Sequence, residues 1–169
     1  MNSKQEAIAG GAFLNYIGKA AETDVLAAII SNTKAFKKLL KDIPRKKRNH
    51  AYAAGKWTVR ESIQHMIDAE RVFAYRALRT GRMDNTPMPG FDENSWATAA
   101  NKIHRKWKDL VNEWLTVRKG TEILFASLGH EELVFAGVAS NQPINALALG
   151  FVIAGHTQHH IDIIKERYL

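Results

Sequence analysis

Apolar residues recur at helical spacing in four segments, and none sustains the strict alternation of a strand flanked by hairpin turns. The first segment covers residues 22–42, with Val25, Ile29, Phe36, Leu39 and Leu40 on one side and Pro44 closing the run. The second covers 58–80. It opens on Thr58-Val59-Arg60-Glu61, a hydroxyl followed three residues later by a carboxylate, the reciprocal cap of a helix N-terminus. Ile63, Met66, Ile67, Phe73 and Ala77 continue its stripe up to Gly81. The third covers 96–128, with Ile103, Trp107, Leu110, Val111, Trp114, Ile123, Leu124 and Phe125 at apolar positions and Gly120 as a candidate kink. The fourth opens at Pro143, a residue suited to a first helical turn, and runs nearly to the C-terminus. These elements predict an all-α protein, a four-helix bundle in a single domain over 1–169, with residues 1–20 as an N-terminal extension packed on it.

The connection over 80–95 is rich in Gly, Pro, Asn and Asp and long for a helix–helix turn. Extended, it could reach about 50 Å, beyond the roughly 30 Å of a 20-residue helix. It can therefore return along the bundle and start helix three parallel to helix two. The expected order is up-down-down-up, with this long crossover between helices two and three.

That order brings distant histidines to one depth. His156 and His160 lie four apart in the last helix and project from one face, among Leu149, Val152, Ile153 and Ile163. Such a pair is compatible with a hydrogen-bonded core pair as well as with metal chelation. His65 tips the balance, because it lies roughly 10 Å past the start of helix two and His160 roughly 14 Å before the chain end. If helices two and four are antiparallel, the three rings can converge. Three neutral imidazoles leave a divalent ion with its charge and an open position, the composition of a catalytic site. Zinc, nickel, iron, copper and, less well, manganese suit such a donor set. The ion could acidify a water, deprotonate a thiol or polarise a carbonyl. His159 points about 100° away from His160 and is left out of the ligand set. Glu61 and Asp68, each about a turn from His65, read as a cap and a solvated charge, or as groups orienting an imidazole.

Composition narrows the chemistry further. There is no cysteine, which excludes disulfides, thiolate metal sites and a cysteine nucleophile. The chain carries 24 Lys and Arg against 17 Asp and Glu, a net charge of +7. Much of the excess sits in Lys37, Lys38, Lys41, Arg45, Lys46, Lys47 and Arg48. This run supports an alternative reading, a non-catalytic helical module whose basic loop docks nucleic acid or an acidic partner. No helix-turn-helix pattern or RNA-reading aromatic motif accompanies it, and a solvated loop is the simpler expectation. The longest uncharged apolar stretch, 146–155, has about half of the roughly 20 residues a bilayer span needs. Near the start, Glu6 and Asn15 break the pattern of a secretory leader, so a cytoplasmic protein is expected. Arg76, about three turns beyond His65, reads as an anion contact at the end of a long pocket or as an ion-pair partner of Asp92 or Glu93. Phe91 and Trp96 read as core plugs or pocket lining.

Three stretches carry a family resemblance: 57–76 around His65, Pro89 to Glu93 in the crossover, and 155–168, which contains Gly155-His156-Thr157-Gln158-His159-His160. They resemble the DinB/YfiT-like superfamily over nearly the whole chain. The resemblance implies an up-down-down-up four-helix bundle, often dimeric, with one divalent metal on three histidines, which here are His65, His156 and His160. It also implies a metal-dependent transferase or hydrolase acting on a small molecule. Some relatives use a low-molecular-weight thiol, as bacillithiol transferases and mycothiol-dependent maleylpyruvate isomerase do.

Overall fold

A computed structural model describes residues 3–100 and 105–169. A 3-10 turn at Lys4–Glu6 is followed by helix α1, Phe13–Lys19. Helix α2, Val25–Asp42, starts behind Asp24, whose carboxylate accepts from the Ala27 amide at 2.9 Å. Helix α3, Val59–Thr80, carries the reciprocal cap: Thr58 Oγ1 accepts from the Glu61 amide at 3.3 Å, and Glu61 accepts from the Thr58 amide at 2.5 Å. After the crossover come α4, Glu93–Ala100, and α5, Trp107–Ser127. A short helix α6, His130–Val134, leads into strands β1, Ala136–Ala139, and β2, Gln142–Asn145, and α7, Ala146–Arg167, ends the chain.

Three expectations need correction. The third helical segment is two helices, α4 and α5, with Arg105 and Lys106 outside both, and Ile103 lies outside the described residues. Gly120 makes no break, because α5 runs through it. Pro143 does not open the last helix. It lies in β2, paired antiparallel with Val138 of β1, and Ser140 and Asn141 turn the hairpin at φ of 52° and 59°. Backbone groups of the crossover hold this hairpin: the Met88 amide donates to Val138 O at 2.9 Å and the Ser140 amide donates to Met88 O at 3.0 Å. Asn145 then caps α7, accepting from the Ala148 amide at 2.8 Å.

Contacts along the helices give their directions. Tyr168, just past α7, donates its hydroxyl to the carbonyl of Trp57, just before α3. At the other end of α3, Arg76 donates to Ser140, ahead of α7. These two helices therefore run oppositely. Helix α5 follows α3, with Arg105 on Gln64 and Arg118 on Glu70. Helix α2 opposes α5, since Phe36 packs on Trp114 while Thr33 meets Glu122.

The buried apolar residues form two groups. One contains Val25, Ile29, Phe73, Phe125 and Phe151; the other contains Phe36, Ile63, Met66, Trp114 and Ile161. On each long helix a polar residue divides them: Asn32 on α2, Glu70 on α3, Arg118 on α5 and Thr157 on α7, all buried. The bundle thus has a polar layer between two oily ones. The histidine pair of α7 belongs to that layer.

Candidate metal centre

Arg118 is fully buried and meets the Glu70 carboxylate through two nitrogens, Nε at 2.7 Å and Nη2 at 2.8 Å. Nη2 also donates to Thr157 Oγ1 at 2.7 Å, and Thr121 Oγ1 donates to Glu70 at 2.8 Å. Nη1 reaches Asn32 and Thr33, both at 3.4 Å. A buried ion pair of this kind is retained when its remaining donors and acceptors are satisfied. Here it ties α2, α3, α5 and α7 together at one level, and it fixes the rotation of α7 at the residue following His156.

On the same level His65, His156 and His160 converge. His156 Nε2 lies 3.0 Å from His65 Nε2 and 3.2 Å from His160 Nε2. One ligand atom from each ring fits within 4.8 Å of the others. A tetrahedral ion about 2.1 Å from each nitrogen would separate them by about 3.4 Å. One N–H on His156 could serve both neighbours only as a bifurcated donor, whereas a cation takes a lone pair from each ring. The donor set therefore fits a divalent ion.

The electrostatics agree with that fit. Burial, opposed by the charge of Glu93 and helped by His159, lowers His65 to about 4. Burial first, then the neighbouring histidines, hold His156 and His160 well below the ordinary histidine range. Neutral imidazoles are what a metal requires. His156 and His160 are buried and His65 is partly open, so the triad reaches solvent on the α3 side.

Aromatic rings frame the three histidines. Trp57 lies 4.7 Å from His65, Phe73 lies 5.8 Å from His156, and Tyr16 of α1 stands edge-on to His156 at 5.2 Å and 89°. Burial and the charge of Glu93 raise the Tyr16 phenol. Tyr16, Trp57, Glu70, Arg118 and Thr157 stand at the site without a local pattern that assigns them a role there. A charged residue amid apolar positions of two helices was the available signal for Glu70 and Arg118.

The other candidates fall elsewhere. His159 stays outside the triad, its ring 5.9 Å from Tyr16. Glu61 caps α3, and Asp68 accepts from Gln64 at 2.9 Å. Arg76 pairs with neither Asp92 nor Glu93. It is buried, donates to Pro89 O at 2.6 Å and Ser140 Oγ at 3.1 Å, and lies over Phe91. Asp92 instead caps α4, accepting from the amides of Asn94 at 2.9 Å and Ser95 at 3.2 Å. Phe91 packs between Phe73 and Trp96. In the basic run, Arg45 and Lys46 are exposed, while Arg48 covers the Trp107 ring at 4.4 Å. A cavity of about 510 Å³ beside Thr58, Arg60, Glu61, Gln64, Arg105 and Lys106 is lined by none of the three histidines. Among the described residues no helix is long and apolar enough to cross a membrane.

Fold and site together define a helical bundle with a histidine cluster suited to a cation. The chain belongs to the DinB superfamily, whose family model matches residues 28–164. Among solved structures it is similar to YfiT from Bacillus subtilis, described as a probable metal-dependent hydrolase with an unusual four-helix bundle topology. The two share 16% identity over 84% of this chain and 82% of that one, with a TM-score of 0.73, a likeness of fold. No curated protein matches the sequence.

Proposed function

We propose that this chain is a metal-dependent enzyme in which His65, His156 and His160 hold one divalent ion and a small-molecule substrate reacts beside it. The observation that carries this reading is the convergence of three neutral, largely buried imidazoles through their Nε2 atoms. When bound, the ion would supply Lewis-acid activation of a water or a small thiol at its remaining position. The histidines offer lone pairs because burial keeps them unprotonated. Glu70, Arg118 and Thr157 hold α7 in register, so that two of the three donors are set before any ion arrives. Trp57 and Phe73 limit water around the rings they touch. Zinc, nickel, iron, copper and manganese are the ions this set would take. The description of YfiT favours hydrolysis, and the sequence resemblance leaves both hydrolysis and transfer to a small thiol open.

Metal analysis of purified wild-type chain beside the triple variant His65→Ala, His156→Ala, His160→Ala tests the first step. About one ion per wild-type chain and a large loss in the variant are expected. Equal metal content would reject the reading. Assays of the metal-loaded protein on esters and amides, and on electrophiles supplied with a small thiol, then separate the two activated nucleophiles.

A further inference from the structure

The family match begins at residue 28, so α1 and the segment before it lie outside the matched part of the chain. They are fastened to it at several points. Asn145 accepts from the Ile8 amide at 3.1 Å and donates to Glu6 O at 3.0 Å. The segment is also folded on itself, the Lys4 amide donating to Thr23 O at 3.1 Å and the Lys4 ammonium to the carbonyl of Ala20. Lys19 pairs with Asp162 of α7 at 3.3 Å.

One of these contacts falls beside the histidine cluster. A Cβ on Gly155 would lie 1.8 Å from the carbonyl oxygen of Tyr16, so α1 rests backbone to backbone on α7 one residue before His156. Glycine is what permits that approach. From there the Tyr16 ring turns edge-on to His156 at 5.2 Å and to His159 at 5.9 Å. One turn earlier, Phe13 packs on Phe73 at 6.4 Å, and Phe73 itself meets His156. The remaining surroundings of the triad come from the bundle: α3 and α7 supply the ligands, and Trp57, pinned through its carbonyl by Tyr168, covers His65. The N-terminal helix is therefore the side of the centre that the bundle does not provide.

We propose that α1 is the specificity wall of this centre, and that the ring of Tyr16 limits the bulk a ligand can carry next to the atom that reaches the ion. The inference rests on the reading that the three histidines hold an ion. Small, narrow ligands pass the ring, and a ligand with an aromatic group at its donor atom collides with it. The work is done by the ring and not by the hydroxyl. Tyr16 acts on the shape of the site and supplies no group to the chemistry.

Cobalt(II)-loaded full-length protein provides the test, because visible absorption bands report ligand binding without turnover. Azide and benzenethiol are titrated into wild type, Tyr16→Ala and Tyr16→Phe. Opening a tight apolar slot changes affinity by about tenfold or more. Benzenethiol should therefore tighten about tenfold in Tyr16→Ala, while azide changes less than about twofold and Tyr16→Phe matches wild type. Should Tyr16→Ala fail to fold, Phe13→Ala widens the same wall one turn away and is expected to shift benzenethiol in the same direction. Equal changes for both probes, no change for benzenethiol, or a Tyr16→Phe that behaves like Tyr16→Ala would each overturn the wall alone. Wild type that never develops cobalt bands would overturn the three-histidine reading and the wall together.

Discussion

Gly155 and Arg118 show how much of this centre depends on single atoms. Replacing Gly155 by Ala places a methyl group 1.8 Å from a backbone oxygen, which no side-chain rotation can relieve. Helix α1 must move, and over-packing of this kind costs about 1–3 kcal/mol. The expected result is a lower urea midpoint with faster amide exchange confined to α1, measured against unchanged protection in α3 and α5. Arg118 is a stronger case, because its removal strands a carboxylate. In Arg118→Met, Glu70 keeps the Thr121 hydroxyl but loses both guanidinium contacts. Breaking one half of a buried pair costs about 3–5 kcal/mol, and removing both halves costs far less. Urea unfolding of Arg118→Met and of the double variant with Glu70→Met should show that order. The shared face of His156 and His160 was legible in the sequence because four-residue spacing on an apolar stripe has a geometric meaning in one helix. The Glu70–Arg118 pair was not, since a charge reads as solvated until its partner, 48 residues away, is known.

Capping and pairing decide where the elements begin. The start of α3 was readable from Thr58 and Glu61 because both halves of the cap lie within four residues. The start of α7 was not. Its cap, Asn145, follows a hairpin whose strands are four residues each, too short for alternation to stand out. That hairpin is held by backbone bonds from Met88, which no local pattern announces. The length and composition of the crossover suit a return path, but its second role, as a support for β1, depends on tertiary contact. Asn145 also holds the N-terminal segment, so its loss has two effects. Asn145→Ala should cost about 1–2 kcal/mol through the cap alone. It should also release residues near Ile8, making that segment the first point of limited proteolysis while the bundle stays intact.

The bundle as a whole holds three imidazoles in a state that acid opposes, and this couples its stability to both protons and metal. His65 is lowered to about 4, and His156 and His160 lie well below the ordinary 6.5. On unfolding each ring regains solvent and binds a proton near 6.5. Between those values the unfolded chain therefore holds more protons than the folded one. The stability of the metal-free protein is accordingly full above about pH 6.5 and falls as the pH drops toward 4, by at most about 1.4 kcal/mol per pH unit for each group. A bound ion works in the opposite direction, occupying the lone pairs and favouring the folded chain by about 2.7 kcal/mol when free metal is a hundredfold above its dissociation constant. Urea unfolding across this pH range, with and without metal, should show a higher stability with metal bound and a pH slope no shallower than that of the metal-free protein, because liganded rings bind no protons while those of the unfolded chain still do. The triple alanine variant should lose the metal effect and most of the slope together, because the same three nitrogens carry both. If the slope persisted in that variant, other groups would be responsible for it, and the link between acid sensitivity and metal capture would fail.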